Sequence, residues 1–73
     1  MDSVSNVGVL DKAVAVLRAL ERGPAALAEL QQATGLPRAT AHRLATALER
    51  HGLVRRDQDG RFCLGLALIG LGH

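Results

Sequence analysis

With 73 residues the chain has room for one domain, and multi-part active sites on barrels or doubly wound sheets need more length than that. Hydrophobic residues make up 48%, which excludes a disordered chain. Trp and Tyr are absent and Phe62 is the only aromatic, so the core must be aliphatic and a stacking platform for single-stranded nucleic acid is disfavoured. The formal net charge is +2 and unevenly placed: before Leu36 three bases face four acids, whereas from Leu36 onward six arginines face three acids.

Helical spacing begins at Leu10, after a stretch from Met1 to Gly8 that has no period and reads as an N-terminal arm. Leu10, Ala13, Val14, Leu17 and Leu20 follow the i, i+3, i+4, i+7 template, and Val16 widens the apolar arc. Asp11 near the start and Arg18 and Arg22 near the end suit the helix dipole. Gly23-Pro24 stops this helix. A short second helix is predicted over 27–34, with Leu27, Leu30 and Ala33 as its stripe and Gly35 as the residue that ends it.

Pro37 suits the first position of a third helix, predicted over 37–51 and closed by Gly52. Ala41, Leu44, Ala45 and Leu48 share its apolar face. The opposite face carries Ala39, His42, Arg43, Thr46 and Arg50, with Arg38 and Thr40 on its flanks, and no carboxylate until Glu49. An ordinary solvated helix mixes the two signs. Next comes a predicted hairpin over about 53–64: Leu53-Val54-Arg55-Arg56, the turn Asp57-Gln58-Asp59-Gly60, and the returning Arg61-Phe62-Cys63-Leu64, in which Phe62 and Leu64 face inward. Gly65 breaks the strand. The apolar run from Leu66 to Leu71 would start another helix with nothing obvious to pack against.

The order helix, helix, Gly turn, helix, hairpin is that of a winged helix-turn-helix, mainly α with one small β-hairpin. In such a fold the helix after the turn projects into a DNA major groove and must have an apolar back and a polar front free of repelling carboxylates. On that basis Arg43 is expected to meet a base edge or a phosphate. Arg38 and Thr40, near the helix N-terminus, are expected to hold phosphates. Ala39 can meet a thymine methyl, His42 either donates to DNA or packs at a subunit edge, and Thr46 lies beyond the first two turns that usually reach bases. Arg55, Arg56 and Arg61 of the wing are expected on the backbone or in the minor groove.

Other chemistries find little support. Cys63 is alone and reads as a half-buried strand residue, which rules out an internal disulfide. With His42, His51 and His73 it makes no zinc spacing. No nucleophile, base and orienting group stand together, so no enzyme and no cofactor are expected. No apolar run approaches the roughly 18 residues of a membrane span, and Met1-Asp2-Ser3 lacks the basic start of a signal peptide. A cytoplasmic domain is expected. A winged helix that binds protein would carry acidic or apolar residues where this chain has Arg38, His42, Arg43 and Arg50.

The segment Gly35-Leu36-Pro37-Arg38-Ala39-Thr40-Ala41-His42-Arg43-Leu44 resembles the recognition segment of the IclR family of bacterial transcription regulators. Asp59-Gly60-Arg61-Phe62-Cys63-Leu64-Gly65 resembles the family's wing, Leu71-Gly72 its next Leu-Gly step, and Val9-Leu10-Asp11-Lys12-Ala13 with Leu17 and Leu20 its opening helix. Two positions depart from the pattern: Ala26 stands where a capping Ser or Thr is common, and Ala39 where Ser is common. The resemblance implies a nucleoid-associated homodimer that binds a pseudo-palindromic operator in double-stranded DNA. It also implies a small-molecule effector, bound by a C-terminal domain absent from these residues. Residues 66–73 would then begin the linker helix and 9–65 would be the DNA-binding domain. Another winged-helix regulator family, or a winged-helix protein-interaction or dimerisation module, remains the alternative.

Overall fold

The computed structural model describes residues 4–66, with side chains from Gly8 onward. Three helices pack around one small core, and a hairpin folds against them. The first helix, α1 (Val4–Ala19), tightens into a single 3₁₀ turn at Leu20–Arg22. It is followed by α2 (Leu27–Thr34), α3 (Arg38–Arg50), β1 (Val54–Arg56) and β2 (Phe62–Leu64). The fold is a winged helix-turn-helix. The expected linker helix over 66–73 lies outside the described residues, apart from Leu66, which is in a turn.

The first helix departs from its apolar period in two ways. It starts at Val4, so residues 4–8 are helix and not an arm, and Asp11 falls mid-helix and not in the first turn. Its phase also differs. Val16 is 0% exposed and, with Leu20, forms the inner stripe, while Leu10 is 63% exposed and Val14 also faces out. Both stripes are apolar, and the packing of α1 on α2 and α3 selects the one through Val16. Ala13 and Leu17 lie half-buried beside the core.

Leu30 of α2 is fully buried at the centre, among Val16, Leu20, Ala45, Leu48, Val54 and Phe62. The cap of α2 is half made. The Ala26 N–H donates to Glu29 Oε1 at 2.7 Å, but alanine has no oxygen to accept from the Glu29 N–H in return. At the other end Gly35 has φ +74°, a left-handed conformation that glycine adopts without a Cβ clash, and its N–H donates to the Gln31 carbonyl. The Thr34 hydroxyl donates to the Leu30 carbonyl at 2.6 Å and accepts from the Leu36 N–H at 3.3 Å. These contacts fix the turn that aims α3.

Pro37 is the N-cap of α3 and not its first helical residue, with extended ψ of 153°; its carbonyl accepts from the Ala41 N–H. Ala41, Ala45 and Leu48 are buried, as their spacing predicts. The helix closes with the Gly52 N–H on the Glu49 carbonyl and the Leu53 N–H on the Leu48 carbonyl, the paired bonds of a Schellman end.

The hairpin pairs Val54 with Leu64, Arg55 with Cys63 and Arg56 with Phe62. A third segment joins it. Ala25 exchanges two 2.8 Å backbone hydrogen bonds with Phe62, so β2 lies between β1 and the stretch that precedes α2. Flanked on both edges, β2 buries Cys63 as well as Phe62, and Leu64 is only partly covered. Gly65 sits against the backbone of Gly52 and Leu53 and donates to the Leu53 carbonyl at 2.8 Å.

Candidate nucleic-acid interface

The outer face of α3 is set by its buried one. With Ala41, Ala45 and Leu48 turned inward, a period of 3.6 residues places Ala39, Arg43 and Arg50 furthest from the core. Arg38, Ala39, His42, Arg43 and Arg50 are exposed, and Thr40 is half-buried. Arg38, Ala39 and His42 line a cleft with Leu27 of α2. Thr40, Arg43 and Arg50 line another groove, on the side of α3 toward α1. Thr46 is half-buried, and its hydroxyl oxygen is covered and without a hydrogen-bond partner, so it is not presented at the surface.

Glu49, the one carboxylate of α3, is turned to the wing. Its Oε1 lies 3.7 Å from Arg56 Nε. Arg56 in turn lays its guanidinium 4.5 Å from the centre of the Phe62 ring, its cross-strand partner. The outer face of α3 is therefore free of an acid at the points where Arg43 and Arg50 stand. Neither arginine has an ion-pair partner among the described residues.

The wing tip is organised by Asp57. Its Oδ1 accepts the backbone N–H groups of Asp59 and Arg61, each at 2.9 Å, and its Oδ2 accepts the Arg61 Nε–H at 3.2 Å. Arg61 Nη2 also lies 3.2 Å from Asp57 Oδ2 and 3.4 Å from Asp59 Oδ2. Partial burial pushes the Asp57 carboxyl up, but the two backbone donors and the Arg61 guanidinium outweigh it and hold the group below its ordinary 3.8.

The structure thus separates the three wing arginines that the sequence groups together. Arg61 is held between two carboxylates and Arg56 spans Glu49 and Phe62. Arg55 is exposed and has no carboxylate partner among the described residues. Asp57 was legible only as a turn residue. Its spacing to Arg61, four along the chain, was the available signal for the pairing.

A three-helix core, a turn fixed by Gly35 and Thr34, and a cationic third helix beside a hairpin are the geometry on which comparison with known proteins bears. A family model, the IclR helix-turn-helix domain, matches residues 9–58. The chain belongs to the IclR helix-turn-helix family. It is a DNA-binding domain of the transcription-regulator type. It is 36% identical over 63 residues to the HTH-type transcriptional regulator KipR of Bacillus subtilis (strain 168), covering 85% of this chain and 25% of that protein. An IclR transcriptional regulator from Alicyclobacillus acidocaldarius superposes with a TM-score of 0.83 at 33% identity, covering 89% of this chain and 28% of that one. An IclR homologue from Microbacterium hydrocarbonoxydans, solved with 4-hydroxybenzoate, gives 0.79 at 29% identity, over 86% of this chain and 27% of that one. The chain thus spans about a quarter of the length of the relatives it matches. No helix among the described residues is long and apolar enough to cross a membrane.

Proposed function

We propose that α3 lies in the major groove of duplex DNA and reads sequence from its N-terminal half. The observation that carries this is the outer face of α3, where Arg38, His42, Arg43 and Arg50 are exposed and the only carboxylate, Glu49, is drawn aside by Arg56. Arg43 is assigned to a base edge, where a guanidinium forks onto guanine. Arg38 and Thr40 hold phosphates at the helix start, and Ala39 offers a methyl to a thymine, with His42 as a neighbouring donor. Thr46, its oxygen covered, is left a packing role. In the wing, Arg55 is the arginine available to the backbone or the minor groove.

Two copies of the domain bind a pseudo-palindromic site. The support for pairing is the exposed apolar side chains of α1, Val9, Leu10 and Val14, together with Leu66 after the wing, which is 74% exposed. Val14 and Leu17 also line a groove with Leu64 of the wing. Apolar side chains gathered at the surface of one helix suit a contact with a second copy. Residues 9–65 act as the DNA-binding domain and 66–73 lead into a linker. A small-molecule effector is bound outside residues 9–65.

Fluorescence anisotropy with a selected operator and a random-sequence duplex tests the groove reading. Affinity should fall linearly in log–log form with salt, because phosphate contacts release counterions. Arg43→Ala should cost about 1–3 kcal/mol on the operator and relax specificity at one base position. An equal loss on both duplexes would reassign Arg43 to a phosphate, and no salt-dependent binding by the folded chain would end the proposal. Sedimentation of the chain and of Leu10→Ser tests pairing, which requires the variant to dissociate more readily.

A further inference from the structure

We propose that Lys12, on α1 and outside the helix-turn-helix itself, is a phosphate-binding residue that widens the DNA footprint of the domain. The inference rests on the duplex reading above and adds a contact from a different helix.

The groove between α1 and α3 brings Lys12 together with Thr40, Arg43 and Arg50, over a floor of Leu44 and Ala47. Its polar lining is three cations and a hydroxyl, with no carboxylate. Lys12 has no ion-pair partner among the described residues. Glu49, the one carboxylate of α3, lies on the opposite flank of the helix, against Arg56. Like charges that converge without a counter-charge are tolerated in water and are relieved by an anion.

The anion is a backbone phosphodiester by position. A helix with its side chains is about 10–12 Å across and fills a major groove about 12 Å wide. The base edges therefore meet the crown of α3 at Ala39 and Arg43, while the flank of α3 faces the sugar–phosphate wall. Thr40 and Lys12 lie on that flank. The flexible ammonium of lysine serves as a point charge for phosphate, in contrast to the forked guanidinium of Arg43. Lys12 should therefore add affinity and register without sequence information.

The test is a salt titration of the 73-residue chain by anisotropy on the selected operator and on a random-sequence duplex. Lys12→Gln should weaken both complexes by the same factor and lower the salt slope by about 0.9 for each contact removed. The gap from the parent chain should then close by about 3.5-fold per contact as salt rises from about 50 to 200 mM. Lys12→Arg should keep the parent slope. Arg22→Gln, which removes one exposed charge away from this groove, should also keep it. Lys12 is exposed, so equal helix content by circular dichroism is expected for all variants. A Lys12→Gln slope equal to that of a parent chain that binds would overturn the inference alone. A slope lowered equally by Arg22→Gln would reduce the effect to net charge and overturn it too. Failure of the parent chain to bind either duplex would instead remove the duplex reading, and this inference with it.

Discussion

Replacing Ala26 by Ser completes the cap of α2, and the structure sets the size of the gain. Ala26 has φ −75° and ψ 166°, the extended conformation of an N-cap, and is exposed, so a hydroxyl there needs no repacking. Glu29 is already in place three residues on and accepts the Ala26 N–H at 2.7 Å. The missing partner is an oxygen for the Glu29 N–H, one of the donors that the first turn of a helix leaves unsatisfied. Supplying it is worth about 0.5–2 kcal/mol, centred near 1. In a domain of this size about 1 kcal/mol raises the thermal midpoint by about 4–8 °C. Thermal and urea unfolding followed by circular dichroism would measure it, and the urea dependence should be unchanged because the surface exposed on unfolding is the same. Glu29→Ala made in the Ala26→Ser background should be destabilising, since one half of the box remains to be lost. A neutral or destabilising Ala26→Ser with unchanged urea dependence would refute the view that this helix start is under-capped.

Gly65→Ala should destabilise the domain by about 1–3 kcal/mol in the same assay, because a Cβ there would run into the Gly52 carbonyl oxygen, with the Gly52 and Leu53 carbonyl carbons 2.9 and 3.0 Å away. The shift needed to relieve it pulls on the Gly65 to Leu53 hydrogen bond. Acid should loosen the wing through Asp57. Its folded pKa is below the ordinary 3.8, so its contribution is complete above that value and is lost as pH falls through the folded value. The parent chain should therefore lose thermal stability below about pH 4 more steeply than Asp57→Asn. Among the wing arginines, Arg55→Ala should lower duplex affinity without lowering the unfolding midpoint, whereas Arg61→Ala should lower the midpoint more than the affinity. The reverse pattern would show that the carboxylates release Arg61 to DNA.

What could be read from residues alone was what depends on local spacing. The bounds of α2 follow from Leu27, Leu30 and Ala33 and the glycine behind them. The buried face of α3 follows from Ala41, Ala45 and Leu48, and the hairpin from the Asp-Gly turn between two apolar-bearing runs. The phase of α1 was not legible, because Leu10, Val14 and Leu17 make as good a stripe as Ala13, Val16 and Leu20. Contacts with distant helices choose between them. Nor was the bridge from Ala25 to Phe62, which joins residues far apart in sequence and leaves no periodic trace. At the candidate site the sequence placed the exposed arginines of α3 but not their partners. That Glu49 leans to Arg56, or that Thr46 hides its oxygen, depends on where the wing lies against the helix.

Those partners change what the charge count means. From Leu36 onward six arginines outnumber three acids, but the three acids are not spread among the six. Glu49 takes Arg56, and Asp57 and Asp59 share Arg61. The wing tip therefore carries two carboxylates against one guanidinium, and close to a phosphate it is repulsive on balance. The surplus charge is concentrated on Arg38, Arg43 and Arg50 of α3 and Arg55 at the base of the wing, none of which has an ion-pair partner among the described residues. Exposed ion pairs such as Glu49–Arg56, outside the hydrogen-bonded Asp57–Arg61 turn, add little to stability. The larger effect of all these pairs here is on the field: by holding every acid of this half on Arg56 and Arg61, they leave the α3 face cationic over a distance set only by salt. A modest net charge can thus present a strongly one-signed surface to a duplex.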